Sequence, residues 1–443
     1  MTDESTTNHD LEGTPARGLA TATLGFAAGL TTIVFYGVAG PEFKEALGLS
    51  GAMLGLLLSS PHLTKALLRV PFGAWVDQVG GRKPFLVLLG LTLVGMGALA
   101  VLLLAYYPHR FDMRLFPVLV VCGLLAGAGG ATFSVGVPKT SFWYPTNKQG
   151  YALGVYAGAG NVSPGLINYL MPVLILAWGL PGAYLTWFLL VLAASVAYAI
   201  MGVDAYYFQL IRKGIDDVDA REVARAAGQD VFPNGNSRES LKMSARNPRT
   251  WVLVFLYTVS FGGGFTALAA WFPTYFNLFH AEDIATAGLL AGIFTVYGSL
   301  IRIPGGALSD RWGGEKVTIS GFAIMLVGSA ILTMSTSIVL ACVGMMVLAT
   351  GMGVANAGIF GLVPKYVPDA VGGASGWIGG VGGAGTLIVL PLLGVFVDVM
   401  GPIGYARGFS VFVVMSAVCM LVAFRLKRTA GKAASSSLGT DAH

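Results

Sequence analysis

Two arginines interrupt apolar stretches of this sequence, Arg69 in Ala-Leu-Leu-Arg-Val-Pro and Arg302 in Ser-Leu-Ile-Arg-Ile-Pro. A guanidinium is a planar, permanently charged fork that donates parallel hydrogen bonds, so two facing forks are suited to holding a small anion edge-on. Each arginine opens the same run of residues. Arg69, Pro71, Gly73, Asp77, Gly80, Gly81 and Lys83 recur as Arg302, Pro304, Gly306, Asp310, Gly313, Gly314 and Lys316, at one offset of 233 residues. Eight residues of helix, roughly 12 Å, separate each arginine from its aspartate at the charged turn, which places it near the middle of a bilayer core about 30 Å thick. An arginine there costs about 2.5 to 3.5 kcal/mol on an insertion scale, so both should face the protein interior.

Other ionisable side chains offer less. Lys65 is a further cation one turn before Arg69 on the same helix face. His62 is the only histidine within an expected span. Both are read as reaching toward water, with a proton-linked pair as the alternative. Asp77, Asp204, Asp310 and Asp398 fall at span ends, and Glu42 and Glu45 on an outer loop, so no carboxylate stands at mid-membrane. There is no HExxH, no GxSxG and no paired intramembrane carboxylate, which leaves an enzyme without chemistry. Cys122, Cys342 and Cys419 lie in apolar runs as small core residues; neither a metal nor a cofactor is expected.

The elements that must position the arginines are membrane helices. The chain has 443 residues, 55% hydrophobic and only 11% charged, against about 25% charged in soluble domains. Apolar runs long enough to span fall at 19–41, 51–76, 84–107, 115–142, 149–177 and 181–203, and again at 249–276, 286–309, 317–336, 338–364, 371–398 and 405–426. The expectation is an all-α membrane protein of twelve helices in two pseudo-symmetric bundles, residues 19–203 and 249–427. A polar linker, 204–248, with one surface helix joins them, and residues 1–18 and 428–443 are tails. The first tail has no apolar core of its own and is not read as a signal peptide.

Twenty of the 27 lysines and arginines fall on the side of the linker and tails, while Lys44, Arg110, Arg114 and Arg407 fall on the other. The positive-inside rule then makes both termini and the linker cytoplasmic in a multi-pass protein of the cell membrane. The net charge of +5 calls for no nucleic-acid partner. Further echoes support the duplication. Val137-Pro138-Lys139 recurs as Val363-Pro364-Lys365, and the fifth and eleventh spans are glycine-dense, through Gly154, Gly158 and Gly160 and through Gly376, Gly379, Gly380, Gly382, Gly383 and Gly385. Glycines four apart stack on one face and let a neighbouring backbone approach and slide.

Gly73-x3-Asp77-x2-Gly80-Gly81-Arg82-Lys83 and its weaker copy resemble the cytoplasmic loop signature of the major facilitator superfamily, and twelve spans with a central linker match its plan along the whole chain. Ala66-Leu-Leu-Arg69-Val-Pro71, Arg302 and Ala157-Gly-Ala-Gly-Asn161 resemble, more specifically, the nitrate/nitrite porter family. That resemblance implies a transporter, not an enzyme, in which Arg69 and Arg302 clamp a small inorganic anion, nitrate or nitrite. Phe133, Tyr257 and Asn161 match by motif context, as an aromatic face, a hydroxyl and an amide around the ion. Gly158, Gly160, Gly380 and Gly382, with Asp77 and Asp310, are expected to serve movement. The eleventh span departs from the pattern, with Gly383 where the fifth has Asn161. Exchange of nitrate for nitrite by a monomer is the leading expectation. The alternatives are formate or oxalate as substrate, proton-coupled uptake, or an anion-binding sensor, for which the linker is too short to be an output domain.

Overall fold

The computed structural model describes residues 10–36, 39–49, 51–233, 236–282 and 284–440; residues 1–9 and 441–443 of the two expected tails lie outside it. The spans are labelled α1 to α12. They are α1 (Pro15–Val34), α2 (Gly51–Val79), α3 (Arg82–Tyr106) and α4 (Met113–Ser141). Next come α5, which begins as Gln149–Gly160 and runs on to residue 178, and α6 at 180–201. Only a kink at Gly179, with φ 66° and ψ 175°, separates those two, a conformation glycine adopts without strain. In the second half are α7 (Pro248–Ala269), α8 (Leu289–Trp312), α9 (Gly314–Met334) and α10 (Ile338–Tyr366). Last are α11 (Val371–Val381, then Thr386–Met400) and α12 (Gly401–Arg428). Among the described residues nine of the twelve are long and apolar enough to cross a membrane; the others are α2, α5 and α11.

The outer surface is apolar, as lipid requires: Leu176 is 88% exposed and Val339 71%. Inside, four spans lose their regular α-helical hydrogen bonding at mid-depth. α4 tightens to a 3₁₀ turn at Ala128–Ala131, α5 breaks between Gly160 and Ser163, α7 widens to a π-helix at Thr258–Thr266, and α11 has a 3₁₀ turn at Gly382–Gly385. Glycines make these breaks cheap, and irregular backbone at membrane depth is tolerated where it is enclosed by protein. The interruptions release carbonyls toward the centre.

The linker departs from expectation: it holds three helices, Tyr206–Arg212, Asp217–Ala226 and Ser237–Arg246, instead of one. Local capping accounts for two of them. Asp216 accepts from the Asp219 N–H at 3.0 Å, and Asn236 from the Arg238 N–H at 3.1 Å and the Glu239 N–H at 3.3 Å. The third helix is also no free surface element. Ser240 and Ser244 are buried, and the Ser237 hydroxyl donates to Gln78 at 3.1 Å while the Trp377 indole donates to the Leu241 carbonyl at 3.3 Å. It therefore lies across the seam between the two halves.

Candidate functional site

Arg69 is 3% exposed, and its guanidinium is held by backbone. Nε and Nη2 both donate to the Gly130 carbonyl at 3.3 Å, and Nη1 donates to the Gly379 carbonyl at 2.7 Å. Gly130 belongs to the 3₁₀ turn of α4, and Gly379 lies near the end of the first segment of α11. The breaks in those helices thus set the orientation of the fork. The guanidinium also lies 5.1 Å from the centroid of Phe133, the cation-over-ring geometry that favours a positive charge.

Arg302 differs. It is 1% exposed, yet among the described residues none of Nε, Nη1 and Nη2 has a hydrogen-bond partner. Its guanidinium lies over aromatic faces, 4.8 Å from the Phe261 centroid and 5.5 Å from that of Phe265. A buried charge without partners is among the most costly groups a protein can carry. The Tyr257 hydroxyl, also buried, lies beside the Arg69 guanidinium and within electrostatic reach of both arginines.

The rings of Phe133, Tyr257, Phe261 and Phe265 lie nearly parallel in a cluster shared by the two halves, Phe133 standing 6.5 Å from Phe261 at 6°. Phe133 and Tyr257 are 6.4 Å apart at 13°, Tyr257 and Phe261 4.9 Å at 18°, and Phe261 and Phe265 5.7 Å at 12°. Phe360 stands edge-on to Phe133 and Tyr257. Four expected residues, Arg69, Arg302, Phe133 and Tyr257, therefore share one aromatic chamber. Asn161 is not drawn to either guanidinium: its amide donates to the Ala157 carbonyl of its own helix at 2.7 Å. Residues missed in the sequence are Phe261, Phe265, Phe360 and Tyr156. Tyr156 stacks on Phe133 and donates to the Thr132 carbonyl at 2.9 Å. The spacing of Tyr257, Phe261 and Phe265, one every four residues in an apolar run, was the available signal. A buried pair, Ser260 donating to the Asn356 side-chain oxygen at 3.0 Å, ties the π-helical turn to α10.

The two halves meet through α2 against α11 and α5 against α8. Built Cβ atoms show how tightly: one on Gly376 would stand 2.9 Å from the Val70 carbonyl oxygen, and one on Gly158 2.9 Å from that of Ser299. Gly150, Gly154 and Gly158 face α8, and Gly372, Gly376 and Gly380 face α2. Gly160 and Gly382 do not face the seam. They give room to Phe26 and Tyr257 within their own halves. At the linker end each aspartate caps a helix of the opposite half. Asp77 accepts from the Gly372 N–H at 3.1 Å and the Gly373 N–H at 3.2 Å, and from the Ser240 hydroxyl. Asp310 accepts from the Gly150 and Tyr151 N–H groups, both at 2.7 Å. Carboxylates at helix N-termini satisfy orphan donors and complement the dipole.

A family model described as Major Facilitator Superfamily matches residues 21–285 and 280–441. The chain belongs to the Major Facilitator Superfamily. As a member it is a multi-pass membrane transporter and not an enzyme. Its backbone resembles that of other members: the proton:xylose symporter XylE superimposes with a TM-score of 0.73 at 14% identity, covering 93% of this chain and 95% of that one. FucP in the outward conformation gives 0.66 at 15% identity, covering 91% and 97%. At these identities the likeness concerns the fold alone. Nearer in sequence is a protein named probable nitrate/nitrite antiporter NarK1 from Thermus thermophilus, 28% identical over 405 residues, 85% of this chain and 84% of that protein. A probable nitrate/nitrite transporter NarK2 from Mycobacterium tuberculosis is 29% identical, over 78% of this chain and 80% of its own length. The nitrite extrusion protein of Bacillus subtilis is 26% identical, over 88% and 89%. Within the superfamily, the likeness to nitrate/nitrite porters read from Arg69 and Arg302 is upheld by these relatives.

Proposed function

We propose that the protein exchanges nitrate and nitrite across the cell membrane by alternating access, with the anion held between Arg69 and Arg302. The observation that carries this reading is Arg302, buried with three guanidinium nitrogens unpartnered. A planar oxyanion of single charge gives those donors acceptors and neutralises the charge without adding bulk. The names of the relatives favour nitrate and nitrite over formate or oxalate. Phe133, Tyr257 and Phe261 form apolar walls that exclude water and fix the plane of the ion, and the Tyr257 hydroxyl adds a neutral donor.

Arg69 and Arg302 have distinct tasks in this reading. Arg69 is already oriented by two carbonyls and offers its remaining N–H groups; Arg302 offers its whole fork. With an anion between them the two halves can close, and the rocking of one half on the other turns the site from one side of the membrane to the other. Asp77, Asp310 and the glycine faces of α5 and α11 act on that movement. The linker and both termini lie on the cytoplasmic side, and a single chain suffices.

The test is counter-flow. The protein is reconstituted in liposomes loaded with nitrite, nitrate, formate or no substrate anion, and labelled nitrate is added outside. Uptake should be fast with nitrite or nitrate inside. Equal uptake with formate inside would reject the substrate assignment.

A further inference from the structure

Lys65 is a cation that the clamp leaves unused. It sits one turn of α2, about 6 Å, before Arg69 and farther from the linker, because α2 meets the linker at its other end, where Gln78 accepts from Ser237. Its stem lies across Gly130: a Cβ built there would stand 2.6 Å from Lys65 Cγ and 2.7 Å from Cδ. The carbonyl of the same Gly130 is the one held by Nε and Nη2 of Arg69 at 3.3 Å. Lys65 and Arg69 are thus seated on one residue of α4, and Phe133, against which the Arg69 guanidinium rests, lies one turn farther along that span. Any side chain at position 130 would lift the lysine stem off α4.

Lys65 is half-buried, and the ion pairs among the described residues, Arg212 with Asp204, Arg221 with Asp217 and Lys365 with Glu315, do not involve it. Lys65, Arg69 and Arg302 together bring three positive charges to one region of the membrane interior. One monovalent anion at the clamp leaves two of them uncompensated, and charges left so in a low dielectric are costly.

We propose that Lys65, with the outer edge of Arg69, forms a second anion station one turn of α2 beyond the clamp, taking a small monovalent ion such as nitrate, nitrite or chloride. An ammonium is a compact point charge with rotatable donors, so it attracts such ions without the planar selection the guanidinium forks impose. The station raises the local anion concentration beside the clamp. It rests on the clamp reading, and the test separates the two.

Equilibrium nitrate binding to the full-length protein in detergent should give two nitrates per chain, with one in Lys65→Met and two in Lys65→Arg. In liposome exchange Lys65→Met should raise KM roughly ten-fold and leave kcat within about two-fold, while Lys65→Arg stays near the unmodified protein. Chloride should displace one nitrate from the unmodified protein and none from Lys65→Met. A single nitrate per chain together with an unchanged KM in Lys65→Met overturns the station. Arg302→Met should lose one nitrate and keep the other; retention of both would count against the clamp and leave the station in place.

Discussion

Arg69 and Asp77 lie eight residues apart on one face of α2, with Gly73 midway, and all three touch α11 of the opposite half. Arg69 donates to the Gly379 carbonyl, a Cβ on Gly73 would stand 3.1 Å from the Gly376 Cα, and Asp77 caps Gly372 and Gly373. Arg302, Gly306 and Asp310 repeat the pattern on α8 against α5, where Gly154 and Gly150 lie opposite. The repeated run of sequence is therefore one physical unit: a buried charge, a glycine at the seam, and a carboxylate on the N-terminus of the opposing helix. Helices that slide apart at that cap must also alter the surroundings of the arginine.

Asp77→Asn and Asp310→Asn should weaken the linker-side closure. Each replaces a carboxyl oxygen that accepts a helix N-terminal N–H by an amide nitrogen that cannot, worth about 1 kcal/mol, a roughly five-fold change in the open-to-closed ratio. Spin labels at Lys148 and Asp369, exposed positions on opposite halves, report that ratio as a distance distribution. The double variant should shift it further, with near-additive effects. Unchanged distributions in all three would show that the caps do not hold the seam.

The two arginines should differ in stability tests. Arg302→Met replaces an unpartnered buried charge by an apolar chain of similar length, so without anion it should unfold at or above the temperature of the unmodified protein, and nitrate should raise it by less than it raises the unmodified protein. Arg69→Met strands the Gly130 and Gly379 carbonyls and should be destabilised by about 1 to 3 kcal/mol. Arg302→Lys should lose the clamp nitrate nearly as completely as Arg302→Met, because an ammonium lacks the planar fork. Thermal unfolding with and without nitrate checks all three.

Glycines of the seam and glycines inside a half should also separate. Gly158→Leu or Gly380→Leu forces α5 from α8 or α11 from α2, so nitrate should still bind in one orientation while turnover falls by about a hundred-fold or more. Gly382→Leu instead presses on the Tyr257 ring, a built Cβ being 2.9 Å from its Cδ1, and should lower affinity itself. Binding and counter-flow measured on the same preparations distinguish the cases; equal loss of both in Gly158→Leu would point to misfolding.

Most of the architecture was legible because lipid imposes simple rules: long apolar runs must be helices, and a charge among them must face inward. The duplication made Arg302 readable from Arg69. What stayed hidden depends on backbone, not on residue type. That Arg69 is tied to the Gly130 and Gly379 carbonyls, while Arg302 is tied to none, follows from breaks in α4 and α11 that periodicity does not show. The capping role of Asp77 and Asp310 was equally out of reach, since their partners Gly372 and Gly150 lie far along the chain. The Val-Pro-Lys echo was visible, but not that Lys139 donates to the Val203 carbonyl while Lys365 pairs with Glu315.

The last prediction concerns coupling. Two positive charges roughly 8 Å apart in an effective dielectric near 20 repel by about 2 kcal/mol, and a monovalent anion between them cancels that term. Closure of the halves should then be permitted mainly when an anion is bound, which is the condition for exchange. Among the described residues the carboxylates that α2 and α8 bring to the seam, Asp77 and Asp310, are both engaged by backbone N–H groups at the linker end, away from the aromatic chamber. Labelled nitrate should therefore enter liposomes only when nitrate or nitrite is inside. In liposomes free of substrate anion, an inward proton gradient should produce less than about a tenth of the counter-flow rate, with no change in external pH. Robust accumulation there, with matching alkalinisation outside, would overturn exchange even if nitrate were the right substrate.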